Sequence, residues 1–80
     1  MNIKCYDNGG KTIDRYTVVY LDQPEREVNT FMAVGMNERP FHPQGFGQHC
    51  AAKLGRHLGK PIQFNELPED CQKLVKQDLS

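Results

Sequence analysis

Thr12-Ile13-Asp14-Arg15-Tyr16-Thr17-Val18-Val19-Tyr20-Leu21 is the stretch on which the fold turns. Its β-branched and aromatic side chains pack well on a pleated surface and fit a helix less readily, so the run predicts a β-strand. Upstream, Ile3-Lys4-Cys5-Tyr6 reads as a short strand. The Asp7-Asn8-Gly9-Gly10 between them supplies the positive-φ positions that a tight hairpin reversal demands. Downstream, the polar Asp22-Gln23-Pro24-Glu25-Arg26-Glu27 predicts a second turn and Val28 to Val34 a third strand, with Phe31, Ala33 and Val34 turned to the core. Connections this short support an antiparallel meander and not a parallel crossover.

From Met36 the texture changes. Asn37, Pro40, Pro43, Gly45 and Gly47 exclude a long regular element, so Met36–Gly47 is read as an ordered loop pinned to the core by Phe41 and Phe46. Beyond it, Cys50, Leu54 and Leu58 recur at i+4 spacing with Gly59 at a C′ position, which predicts a first helix over Gln48–Leu58. Gly55 inside it costs about 1 kcal/mol relative to alanine. Pro61-Ile62-Gln63-Phe64 predicts a short edge strand, because Pro61 has no N–H to donate to a ladder. The last element is a helix that starts at Leu67-Pro68-Glu69-Asp70, with acids at the positive end of the dipole and an apolar stripe of Cys71, Leu74, Val75 and Leu79. The order β-β-β-α-(β)-α predicts an α+β fold in two layers. In it, two helices pack on one face of a three- to four-stranded antiparallel sheet, all in a single small domain over residues 1–80.

The chain has 80 residues, of which 38% are hydrophobic. A chain of this size buries only roughly 60–65% of its unfolded surface, so self-association or a partner would add useful stability. Ten basic and ten acidic side chains cancel, which removes the global field that draws a protein onto nucleic acid or an anionic membrane. Locally, Arg39, Lys53, Arg56 and Lys60 stand against Glu38 alone, and Glu66, Glu69, Asp70 and Asp78 follow them, an arrangement that suggests complementarity between the two segments. An odd set of three widely spaced cysteines is a poor basis for a disulfide framework, and no apolar leader or long apolar run is present. The expected compartment is the cytoplasm, with no membrane association.

The runs Tyr6-Asp7-Asn8-Gly9-Gly10-Lys11-Thr12 with Asp14-Arg15-Tyr16-Thr17-Val18-Val19, then Gly35-Met36, Pro40-Phe41-His42-Pro43-Gln44-Gly45-Phe46-Gly47-Gln48-His49 and His57-Leu58-Gly59-Lys60 resemble a family of small phage, prophage and environmental bacterial proteins that has no assigned activity. The resemblance spans nearly the whole chain. It implies a compact accessory product of a mobile genome, of the kind that acts by binding a host macromolecule, and it carries over no catalytic residue.

Three constellations invite chemistry. His42, His49, Cys50 and His57 are zinc-type donors, but adjacent His49 and Cys50 diverge by about 100° on a helix, so no metal site and no cofactor is expected. Cys50 with a neighbouring imidazole would make an activated thiolate, yet its position in the Leu54/Leu58 stripe favours packing, and Cys71 and Cys5 are read the same way; no catalytic residue is assigned. Gly45 and Gly47 before a helix carrying His49, Lys53, Arg56 and His57 could meet an anion, without matching any phosphate-loop signature.

The leading expectation is a non-enzymatic protein that binds a protein partner or itself. It would do so through a half-exposed sheet bearing Tyr6, Arg15 and Tyr20, or through the loop presenting Phe41, His42 and Phe46. The second is nucleic-acid binding by the basic first helix, with Lys53, Arg56, His57, Lys60 and Arg39 on phosphates. The third is a small metal protein or enzyme built on His42, His49 and Cys50.

Overall fold

The computed structural model describes residues 2–80, with Cys50 described by its backbone alone. Five strands form one antiparallel sheet: β1 (Ile3–Asp7), β2 (Tyr16–Pro24), β3 (Thr30–Met36), β4 (Phe46–Lys53) and β5 (Lys60–Ile62), in the order β4-β3-β2-β1-β5. One helix, α1 (Glu69–Leu79), follows. The α+β class and the antiparallel sheet agree with the sequence reading, whereas among the described residues the sheet has five strands instead of three or four and there is one α-helix instead of two.

The predicted first helix over Gln48–Leu58 is the main correction. Its first half is β4, paired with β3 through Gly35↔Gly47, Val34↔Gln48 and Ala33↔His49, and its second half contains only the single 3-10 turn Arg56–Leu58. Glycines at both ends and in the middle leave little local helical preference to oppose a full ladder on β3. The i+4 spacing was coincidental, since Leu54 stays 39% exposed while Leu58 packs against the sheet. Gly59 is not a helix C′ residue either. Its φ is +111°, and a Cβ there would lie 2.4 Å from the Asp7 carbonyl, so glycine is needed for close passage of two backbones.

Smaller differences follow from turn chemistry. Gly9 and Gly10 do adopt positive φ, but the reversal is a longer loop over Asn8–Arg15. Asp7 Oδ1 accepts from Gly9 N–H, and Asn8 Oδ1 accepts from Gly10 and Lys11 N–H. Strand β2 therefore begins at Tyr16 and runs on to Pro24, and β3 starts at Thr30, not Val28, which is 81% exposed. The predicted edge strand at Pro61 is β5, paired with β1.

Alternation along the strands divides the core. On one face Cys5, Tyr16, Val18, Tyr20, Val34 and Met36 pack against Leu67 and the helix residues Cys71, Leu74 and Val75, so the stripe expected of the last helix is the buried one. Tyr20 Oη donates to Asp78 Oδ2 at 2.7 Å and the Cys71 thiol donates to the Asn37 carbonyl at 3.3 Å, which tie α1 to β2 and to the end of β3. On the other face Tyr6, Val19 and Ala33 are covered in part by Leu58, because the chain must cross the sheet to travel from β4 at one edge to β5 at the other.

Truncating Leu74 in this interface is expected to cost about 2–4 kcal/mol of unfolding free energy. Tyr20→Phe, which leaves Asp78 without its donor, is expected to cost about 1–2 kcal/mol. Urea denaturation of the two variants checks both values.

Candidate functional site

The face opposite α1 is only partly covered. Gly35 on β3 and Gly47 on β4 are directly paired, and alternation turns both positions toward this face, so a strip of sheet carries no side chains. An open groove of about 890 Å³ lies on this face. Thr17 forms part of its floor, the β1–β2 loop (Asn8, Thr12–Asp14) one wall, and the end of β4 with the 3-10 turn (Ala51–Lys53, His57, Leu58) the other.

His49 and Asp14 meet in this space, Nε2 to Oδ2 at 3.2 Å. Gly35 makes their meeting possible: a Cβ there would fall 2.6 Å from His49 Nε2 and 2.8 Å from Asp14 Oδ2. Beside them β4 carries a bulge, with Cys50 and Ala51 filling the register between His49↔Ala33 and Ala52↔Phe31, and Ala51 takes φ +57°. Bulges bend a strand and re-aim its side chains, and a left-handed alanine is held there at a cost of about 1–3 kcal/mol.

Of the residues singled out from sequence, His49, Lys53 and His57 line the groove, whereas Phe41, His42, Phe46 and Arg56 do not. Phe46 packs in part against the α1-side core. Phe41 is 53% exposed and is not part of the core. The loop is held instead by its own backbone, with His42 N–H donating to the Arg39 carbonyl, Gly45 N–H to His42, and Asn37 N–H to Gly45. His42 Nδ1 accepts from Gln44 N–H. The exposed sheet surface expected at Tyr6 and Tyr20 is absent, since both are at least 95% buried. Arg15 does reach solvent, but its guanidinium is committed to Asp7 in two bonds of 2.9 and 3.2 Å and to Glu38 at 3.0 Å. The Arg15 hydrogen bonds hold the Asp7 carboxyl below its usual range. The ion pairs among the described residues do not link the basic and acidic segments, contrary to the expected complementarity.

No group of three or more His, Cys, Asp or Glu side chains converges among the described residues. The expected packing role of the Cys50 side chain lies outside the described residues. The helix whose N-terminus was expected beside Cys50 is strand β4 instead. Cys5 and Cys71 are buried, unbridged core thiols. Burial pushes each up to about 11. No helix is long and apolar enough to cross a membrane among the described residues.

The sequence reading missed Asp14 and Gly35 as site residues. Gly35 had a readable signal, because an isolated glycine in a strand pattern marks a bulge or a close approach. The Asp14–His49 pair, 35 positions apart, had none. Comparison with protein-family models, characterised proteins and solved structures yields no match.

Gly35→Ala is expected to keep the sheet intact and drive the His49 ring away from Asp14, because the two nearest obstructing atoms, His49 Nε2 and Asp14 Oδ2, are side-chain ends that can move, and the Asp14 Cβ needs only a small shift of its loop. Loss of the ring-to-Asp14 contact in NMR spectra, with the dispersion of the β2 and β3 amides retained, is the expected result. A second check concerns the thiols. The native Cys5 and Cys71 stay protonated to about pH 11, whereas unfolded cysteine ionises near about 8.5. Their contribution to stability is therefore complete below that lower value and is lost as pH rises toward the higher one. Neither thiol should react with a maleimide at neutral pH until the chain unfolds, as read by mass mapping.

Proposed function

We propose that this chain is a non-enzymatic binding protein, of the phage or mobile-element accessory type its sequence resembles, that holds an extended segment of a protein partner against the outer edge of β4. The observation that supports this reading is the contrast between the two edges of the sheet. Strand β5 is blunted in the ways edge strands usually are, by its three-residue length, by Pro61 and by Lys60. Strand β4 is eight residues long and has no Asp, Glu, Lys or Arg from Phe46 to Ala52. Only the bulge at Ala51 interrupts it, leaving the stretch Phe46–His49 regular. An edge of this kind offers main-chain donors and acceptors to an incoming strand, and alternate side chains of that strand fall on the groove face. The short length of regular edge favours a flexible segment of a partner over a broad docked surface.

The nucleic-acid reading loses its platform, since Lys53, Arg56 and Lys60 no longer share a helix face. The enzyme reading rests on a Cys50–His pair that the strand conformation leaves without an activating helix.

A displayed library of linear peptides, selected on the intact chain and followed by amide hydrogen exchange, tests the proposal. Enriched peptides are expected to protect the amides of Phe46–Ala52, and Gln48→Lys, which places a charge on the edge, is expected to weaken them about tenfold. Protection confined to another element would refute the proposal. So would protection of β4 that rises with protein concentration without peptide, because the occupant would then be a second copy.

A further inference from the structure

The chain has seven glycines, and the fold accounts for six of them. Gly9, Gly10 and Gly59 have positive φ, and a Cβ at Gly35, Gly45 or Gly55 would run into His49 and Asp14, the Arg39 carbonyl or the His57 imidazole respectively. Gly47 has neither reason. Its φ lies outside the left-handed region, and a Cβ there would meet no atom within 4 Å. Glycine inside a strand forfeits packing and adds backbone entropy to the unfolded chain, and it commonly marks a place where a ligand or another backbone comes close. Gly47 stands in the regular stretch of β4, on the edge strand to which a partner segment is assigned above.

The space over Gly47 has defined sides. Its floor is the paired backbone of Gly47 and Gly35. Toward β3 it is bounded by His49, whose Nε2 lies 2.6 Å from where a Gly35 Cβ would stand and is bonded to Asp14. Its outer side is open, because β4 is the terminal strand of the sheet. Phe46 and Gln48 pair with Met36 and Val34 and so turn to the α1 face, which leaves His49 as the neighbour of Gly47 on this one.

A strand added at this edge sets one residue beside Gly47, with its Cβ about 4.5–5.5 Å from the place of the missing one. His49 is then the diagonal neighbour, about 7–8 Å off and within reach of a ring. A small side chain would leave the glycine backbone open to water. An aromatic ring can lie flat over it, shield the ladder hydrogen bonds and meet the imidazole, the arrangement by which aromatic residues compensate for glycine at sheet edges.

We propose that the partner segment carries an aromatic residue beside Gly47, its ring laid over the glycine and against the His49 imidazole. The inference rests on strand addition at β4 and adds the residue that decides which segment is taken.

The probe is the tightest-binding synthetic peptide from the linear library, its residue beside Gly47 identified by NOEs to the Gly47 Hα. That residue is expected to be Phe, Tyr or Trp. Its replacement by alanine is expected to weaken binding about tenfold, with the Phe46–Ala52 amides still protected at saturation. Gly47→Val fills the open space with a side chain suited to a strand, keeps the fold, and is expected to shrink the difference between the two peptides to less than about twofold. A non-aromatic residue beside Gly47, no loss on replacing it by alanine, or an undiminished difference on Gly47→Val would each overturn this inference, while protection of β4 would leave strand addition standing. Failure of every peptide to protect β4 would overturn both.

Discussion

The chain leaves the sheet at one edge, from β4, and re-enters it at the other, as β5. Residues between the two strands therefore have to pass over a face, and much of the architecture follows from that passage. It brings Leu58 onto Tyr6, Val19 and Ala33, so β1, β2 and β3 are apolar on both sides where the segment crosses. It brings Gly59 so near the backbone of Asp7 and Asn8 that no side chain fits. It leaves α1 the opposite face, where the larger core forms. A sheet covered on one face only would have needed polar residues at Val19 and Ala33, and both are fully buried.

The same passage creates the groove. The end of β4 and the 3-10 turn of the crossing segment line one part of the groove, and the β1–β2 loop lines another. Asp14 and His49 meet over β3 because glycine at position 35 gives them room. The groove and the bare β4 edge thus have a common origin in the path of the chain. One is a concavity in a face of the sheet, the other the unpaired outer edge of β4.

Much of this was legible in the residues. The β-branched run in β2, the glycine pair at the first reversal, Pro61 at an edge and the Cys71/Leu74/Val75 stripe each carry a local physical preference that the tertiary structure respects. Strand β4 was not legible, because small residues and a bulge break its alternation while Cys50, Leu54 and Leu58 happen to keep helical spacing. Pairing with β3 decides the conformation there, and pairing is a long-range property that no window of sequence contains. The candidate site was half visible. His49, Lys53 and His57 stood out by chemical type, whereas Asp14 joins them only once the β1–β2 loop is folded over the sheet.

The central claim is that Phe46–Lys53 is a strand laid on β3 and not the start of a helix. Cross-strand NOEs in the folded protein test it most directly. The account predicts contacts between the backbones of Gly35 and Gly47 and of Ala33 and His49. Medium-range contacts of helical type running from Gln48 to Leu58, with no cross-strand contacts to β3, would contradict it and remove both the edge and the groove.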